Sequence, residues 1–220
     1  MRRLLSAALL TLVLAGCGSP TVQLTLTYDT NDAEKQSELL QAATRVIGRR
    51  LSRWEGVMPE QITAKQESGS TLLTFDVNDT EARTTLMEEM LKPFSLTVMT
   101  LSTEEKGDLY VEEQGWFNET GITQQHIGWV EAGTDQKGKG SVRLNFTQDG
   151  LKLLNTILQA NPKAVVGLFV RGRLMSKMQM EGVDLRQDIL IQNIPTFELA
   201  SIFADDVNVG THVIFSQPHS

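Results

Sequence analysis

Chemistry has few places to happen in this chain. Its one thiol, Cys17, closes the string Leu14-Ala15-Gly16-Cys17, behind a basic pair, Arg2-Arg3, and an apolar stretch from Leu4 to Gly16. That stretch is 13 residues long, short of the roughly 20 that a spanning helix needs. A basic start, an apolar run and small residues before a cysteine have the form of a bacterial lipobox, in which the thiol receives a diacylglyceryl group before cleavage. The alternative is an ordinary secretory signal whose cysteine is accidental. With a single cysteine, no internal disulfide forms.

Gly133-Thr134-Asp135-Gln136-Lys137-Gly138-Lys139-Gly140 comes within one residue of a phosphate-binding loop. Gly140 occupies the hydroxyl position that would bind magnesium, and a strand, not a helix, is expected to follow, so no helix N-terminus faces a phosphate. A solvated hairpin loop is the better reading. His126, His212 and His219 show no paired ligand spacing, and zinc wants several nitrogen or sulfur ligands converging. Ser141, Ser176 and Ser201 lack the glycine frame of a nucleophile elbow. Glu88-Glu89, Glu104-Glu105 and Asp205-Asp206 could supply paired carboxylates, but adjacent acids ordinarily mark solvated helix ends or loops. No catalytic, cofactor or metal-binding residue is assigned, and the chain is read as not an enzyme.

What remains is surface. The segment Ala164 to Met180 is rich in Leu, Phe, Val and Met, and methionine adapts to varied apolar partners. Phe169, Leu174, Met178 and Met180 are the candidate polypeptide-binding residues, on a hairpin whose free edge could add an extended chain as an extra strand. The bland alternative is that the methionines are part core and part edge filler.

Removing residues 1–16 leaves 204 residues and, with Arg2 and Arg3 gone, moves the formal charge from −7 to −9. An acidic chain without a basic cluster argues against nucleic acid and against electrostatic attachment to anionic lipid. Membrane attachment would come through acyl chains on Cys17, each buried methylene adding about 0.8 kcal/mol.

The elements follow from periodicity. Val22, Leu24 and Leu26 alternate as a strand; Asn31 is a candidate cap, with Glu34 three residues on, for a helix striped by Leu39, Ala43, Val46, Ile47, Leu51 and Trp54 and ended by Gly56 and Pro59. A hairpin over Gln61–Glu67 and Thr71–Val77 turns through Ser68-Gly69-Ser70. Asn78 opens a second helix to about Lys92, and Phe94–Leu101 is expected to be the final strand of a ferredoxin-like β-α-β-β-α-β unit. Ser102–Asp108 reads as a boundary, and Leu109–Gly140 as loops around a short helix near Gln124. Then come a strand with Val142, Leu144 and Phe146, a helix capped by Thr147 and stopped at Asn161-Pro162, the Ala164–Met180 hairpin turning at Arg171-Gly172-Arg173, a strand over Ile189–Ile191, a helix over Thr196–Asp206 and a last strand over Thr211–Phe215. The fold class is α+β.

The string FTQDGLKLLNTI resembles the strand-to-helix junction of the first periplasmic domain of SecD, and TGITQQHIGWVEAGTDQKGKGSV upstream and IPTFELA downstream resemble its flanking elements in order. The resemblance covers Val22 to Pro218. Residues 1–16 are read as the lipoprotein signal peptide, and the resemblance implies a ferredoxin-like base over 17–103, an α+β head over 104–207 and a C-terminal strand and tail over 208–220 that returns to the base. It implies as partners Sec translocon components and unfolded exported polypeptides, at a bacterial membrane facing the periplasm or exterior. Departures stand beside it. The family's Asp-Gly-Lys turn is Arg171-Gly172-Arg173 here, its proline segment is Lys177-Met178-Gln179, and its Ser-Gly is Gln192-Asn193. The transmembrane helices that follow this domain in SecD have no counterpart up to Ser220, so what transfers is fold and partners and not a proton-driven motor. The alternative role is a structural or assembly envelope lipoprotein that kept the fold.

Overall fold

Alternation makes β1 (Thr21–Tyr28), whose Val22, Leu24 and Leu26 are buried while Thr21, Gln23 and Thr27 face out. The computed structural model describes residues 21–54, 62–67, 69–180 and 188–218. The leader with Cys17, the expected helix stop at Gly56 and Pro59, and Gln61 and Ser68 of the first hairpin lie outside the described residues.

Helix α1 (Ala33–Leu51) buries the expected stripe, but its cap is Asp32, whose carboxylate accepts from the amides of Glu34 and Lys35 at 3.0 and 3.3 Å. The second helix, α2 (Thr80–Leu91), likewise begins one residue later than expected, on Asp79, which accepts from Ala82 N at 2.8 Å. At both sites an asparagine and an aspartate stand side by side, and the aspartate is the cap. Between the helices lie β2 (Thr63–Glu67) and β3 (Ser70–Asp76), paired antiparallel.

The next strand, β4 (Leu96–Leu101), corrects the expected topology. It does not close the first sheet; it pairs instead with β6 (Gly115–Thr123) and β9 (Val165–Val170). The fourth strand of the first sheet is β12 (Val213–Ser216), antiparallel to β1, giving the order β12-β1-β3-β2. The reason lies in β4's side chains. Leu96 and Val98 enter one core while Met99 enters another on the opposite face, and a strand apolar on both faces belongs in the interior of a sheet covered on both sides.

Strand β4 is the middle of a five-stranded sheet whose edges are β5 (Leu109–Val111) and β10 (Arg173–Gln179), in the order β10-β9-β4-β6-β5. The connection over Ser102–Asp108 therefore joins two strands of one sheet. The segment expected to be loops is mostly strand: β5, β6, a 3₁₀ turn over Gln124–His126 and β7 (Ile127–Thr134). Its glycines read as loop signals in the sequence, but Gly115 and Gly121 hold φ of 100° and 78° at turns and irregularities within paired strands.

Strand β7 joins β8 (Gly140–Phe146) and β11 (Asp188–Ile194) in a three-stranded sheet of order β11-β8-β7. Helix α3 (Gln148–Ala160) starts on the expected Thr147 cap. Helix α4 (Phe197–His212) runs six residues past the expected end at Asp206 and leads directly into β12. It packs on α1 at one side and on β7 and β8 at the other, so one helix joins the two halves of the molecule.

Candidate functional site

Strands β9 and β10 form the expected hairpin, turning on Arg171 and Gly172, both at positive φ (50° and 76°), as a two-residue loop between twisted strands requires. The four residues singled out on it divide by depth. Phe169 is buried at 1% exposure, edge-on to Phe117 with ring centroids 5.1 Å apart. Gly167 makes that contact possible, because a Cβ there would stand 2.7 Å from the Phe117 ring. Met180 is also sealed, at 2%. Leu174 and Met178 are half-buried, the first against the Met99–Phe117–Phe169 cluster and the second against the larger core. Phe169 and Met180 lie beneath the hairpin surface, and the exposed large apolar side chain of the hairpin is Met175, 53% exposed.

Met175 sits at an irregularity in register between Leu174 and Ser176, where an extra residue turns its side chain away from the regular ladder. It borders a cleft of about 480 Å³. The opposite wall is Ile191 and Ile194 of β11, and the floor is Leu199, Ile202 and Phe203 from the first turns of α4. Leu199 and Phe197 are 47% and 50% exposed, although Leu199, Ile202 and Phe203 have the spacing of one helix face. Helical spacing reports that residues share a face; it does not report what covers that face. Strands β10 and β11 are each at the end of their sheets, so the cleft lies between two strands with unpaired outer edges among the described residues.

Several of the polar groups that the sequence offers for acid–base work are engaged in pairs. Asp205, buried at 7%, accepts from Arg45 Nε and Nη2 at 2.9 and 2.7 Å and from Arg49 Nη1 at 3.0 Å. This pairing holds the Arg45 guanidinium above its ordinary range, chiefly through the hydrogen bond to Asp205. Asp206 pairs with Arg49 at 3.2 Å, and Glu89 with Arg50 and Arg53. His212 Nδ1 meets Asp29 Oδ2 at 2.8 Å while its ring stacks on Trp129 at 5.4 Å. His126 Nδ1 accepts from Thr123 N at 3.0 Å. The Gly133–Gly140 loop is a hairpin turn in which Asp135 accepts from the amides of Lys137 and Lys139, and strand β8 follows it. No group of three or more candidate metal ligands comes together among the described residues. Cys17 lies outside them.

No protein-family model matches the chain, and no curated protein matches it in sequence. Solved structures do. A crystal structure of SecDF in a super-membrane-facing form superposes with a TM-score of 0.51 at 14% identity, over 91% of this chain and 30% of that one. The fold is SecD-like. Two further structures align at a TM-score of 0.49: a membrane component SecDF that enhances protein export, at 13% identity over 90% of this chain and all of that one, and SecDF, a translocon-associated membrane protein from Thermus thermophilus, at 16% identity over 90% of this chain and 30% of that one. Among the described residues no helix is long and apolar enough to cross a membrane.

Proposed function

We propose that this chain is a membrane-anchored envelope lipoprotein that contacts exported polypeptide in or beside Sec-dependent protein export, without turnover of its own. The observation that carries the reading is the apolar cleft between β10 and β11, set in a SecD-like fold. An extended chain lying there meets the ends of two sheets for main-chain bonding and Met175, Leu199 and Phe203 for side-chain contact, an arrangement with little sequence preference. Attachment is through a diacylglyceryl group on Cys17, on the periplasmic or exterior face of a bacterial membrane. Four residues from Cys17 to Thr21 span at most about 14 Å, so the sheet of β1 stands close to the bilayer.

A photo-crosslinker at Met175, in cells exporting a secreted reporter, tests this. Adducts with the reporter or with translocon components are expected at Met175 and not at Thr74 on the far sheet; a preparation that captures neither ends the reading. Anchoring is tested separately, by the mass of the mature chain and its loss of membrane association in Cys17→Ser. The departures at Arg171-Gly172-Arg173, with exposed cations along β10, favour a second reading: an assembly lipoprotein whose contacts are with other envelope proteins. Adducts at Met175 with resident proteins alone would select it.

A further inference from the structure

The methionines among the described residues differ sharply in exposure. Met90, Met99 and Met180 are 6%, 4% and 2% exposed, each inside a core cluster, and the Met90 sulfur also accepts from Arg50 Nη1 at 2.9 Å. Met87 and Met178 are half-buried against the cores. Met175 is 53% exposed and is in none of the core clusters. Its sulfur is therefore the one that a dissolved oxidant reaches first, and chemistry there leaves the folded core untouched.

The position of Met175 gives that chemistry a consequence. It borders the cleft formed with Ile191 and Ile194 of β11 and with Leu199, Ile202 and Phe203 of α4. From β10 the cleft takes only Met175 and Ser176, so Met175 is the apolar side chain of that wall. As a thioether, methionine is apolar and fits its shape to what it meets. As a sulfoxide, it carries a polar S–O group that holds water. An apolar segment entering the cleft must then strip that water, at a cost that the isoleucines, leucine and phenylalanine opposite cannot offset, having no side-chain donor.

We propose that Met175 is an oxidative modification site, converted to its sulfoxide by hydrogen peroxide, and that the modified side chain closes the cleft to apolar polypeptide. In the step, the sulfur lone pair forms an S–O bond with one peroxide oxygen as the O–O bond breaks. The proton on that oxygen passes to the departing hydroxide, leaving sulfoxide and water. Sulfur gives up two electrons and the peroxide accepts them. Methionine sulfoxide reductase restores the thioether. The closing of the cleft rests on the polypeptide-binding reading of that cleft; the selectivity of the oxidation does not.

Treating the full-length chain with hydrogen peroxide in non-ionic detergent, with peptide mass mapping over time, tests the site. Met175 should gain one oxygen about tenfold faster than Met90, Met99 and Met180, with the thermal unfolding midpoint unchanged. A photo-crosslinker at Leu199, on the cleft floor, then reads binding of an alkylated, unfolded secreted reporter. Adduct yield should fall about fivefold or more on oxidation and return with methionine sulfoxide reductase. In Met175→Leu it should stay high before and after peroxide. Equal oxidation rates across these methionines overturn the modification site. Preferential oxidation with undiminished yield, or a loss in Met175→Leu as large as in wild type, overturns the closing of the cleft. A Leu199 probe that captures no reporter even before oxidation overturns the polypeptide-binding reading and the closing with it, while the mass map decides the modification site separately.

Discussion

The side-chain amide of Asn208 makes both main-chain hydrogen bonds of Val130: its Oδ1 accepts from Val130 N at 2.9 Å and its Nδ2 donates to Val130 O at 2.8 Å. Val130 lies on β7, the end strand of its sheet, and is 2% exposed. An amide on α4 thus completes the edge of β7 where no strand pairs with it. Asn208→Ala should cost about 2–6 kcal/mol, two buried main-chain groups being left unpaired at about 1–3 kcal/mol each. Asn208→Asp should be no milder at neutral pH, since a carboxylate cannot donate to Val130 O. Chemical denaturation midpoints check both.

Asp205 is shared by two arginines of unequal exposure, the Arg45 side chain 51% and the Arg49 side chain 29% exposed. Solvent screening makes either one alone a small contributor, so Arg45→Met should cost about 1 kcal/mol. Removing both strands a buried carboxylate, and Arg45→Met/Arg49→Met should cost about 3 kcal/mol, more than the two singles together. A double-mutant cycle measured by urea unfolding gives the coupling.

Gly210 lies in the last turns of α4, and a Cβ there would stand 2.3 Å from the ring of Phe94. Alanine gains up to about 1 kcal/mol in helix propensity but meets a ring that must move, at about 1–3 kcal/mol. Gly210→Ala should therefore destabilise wild type. In a Phe94→Ala background the same change should be neutral or stabilising, and that reversal of sign in thermal unfolding is the test.

Asp149, at the start of α3, is held below the ordinary carboxylate range by the hydrogen bond from Lys152 Nζ at 2.8 Å, and then by that residue's charge. A depressed folded value means that its contribution is present above the ordinary carboxylate range and fades as pH falls through the lowered one. Lys152→Ala should move the Asp149 midpoint upward in a carboxyl NMR titration. An unchanged midpoint would show that the pair is not formed in solution.

How much of this is legible in the sequence follows the range of the interactions. The β1 alternation, the α1 stripe, the Thr147 cap, the Asn161 stop and the Arg171-Gly172 hairpin turn depend on neighbours a few residues away. Period and capping chemistry display these directly. The aspartate caps lie one residue from the expected asparagines because adjacent Asn and Asp offer nearly the same acceptor. In the candidate site, Met175 is legible only as one of several methionines, and the cleft's far wall and floor come from residues 191–203, beyond the hairpin.

From order and pattern alone, this chain specifies an α+β protein with two helices against an early sheet and a later hairpin rich in apolar residues. Only the tertiary structure decided that β4 leaves the first sheet, that the returning C-terminal strand β12 takes its place there, and that α4 stands between α1 and β7 with Asn208 closing a strand edge. The physical reason is that strand pairing and burial are settled by competition among distant segments. The apolar residues on both faces of β4 can say that it must be covered twice, but not by what.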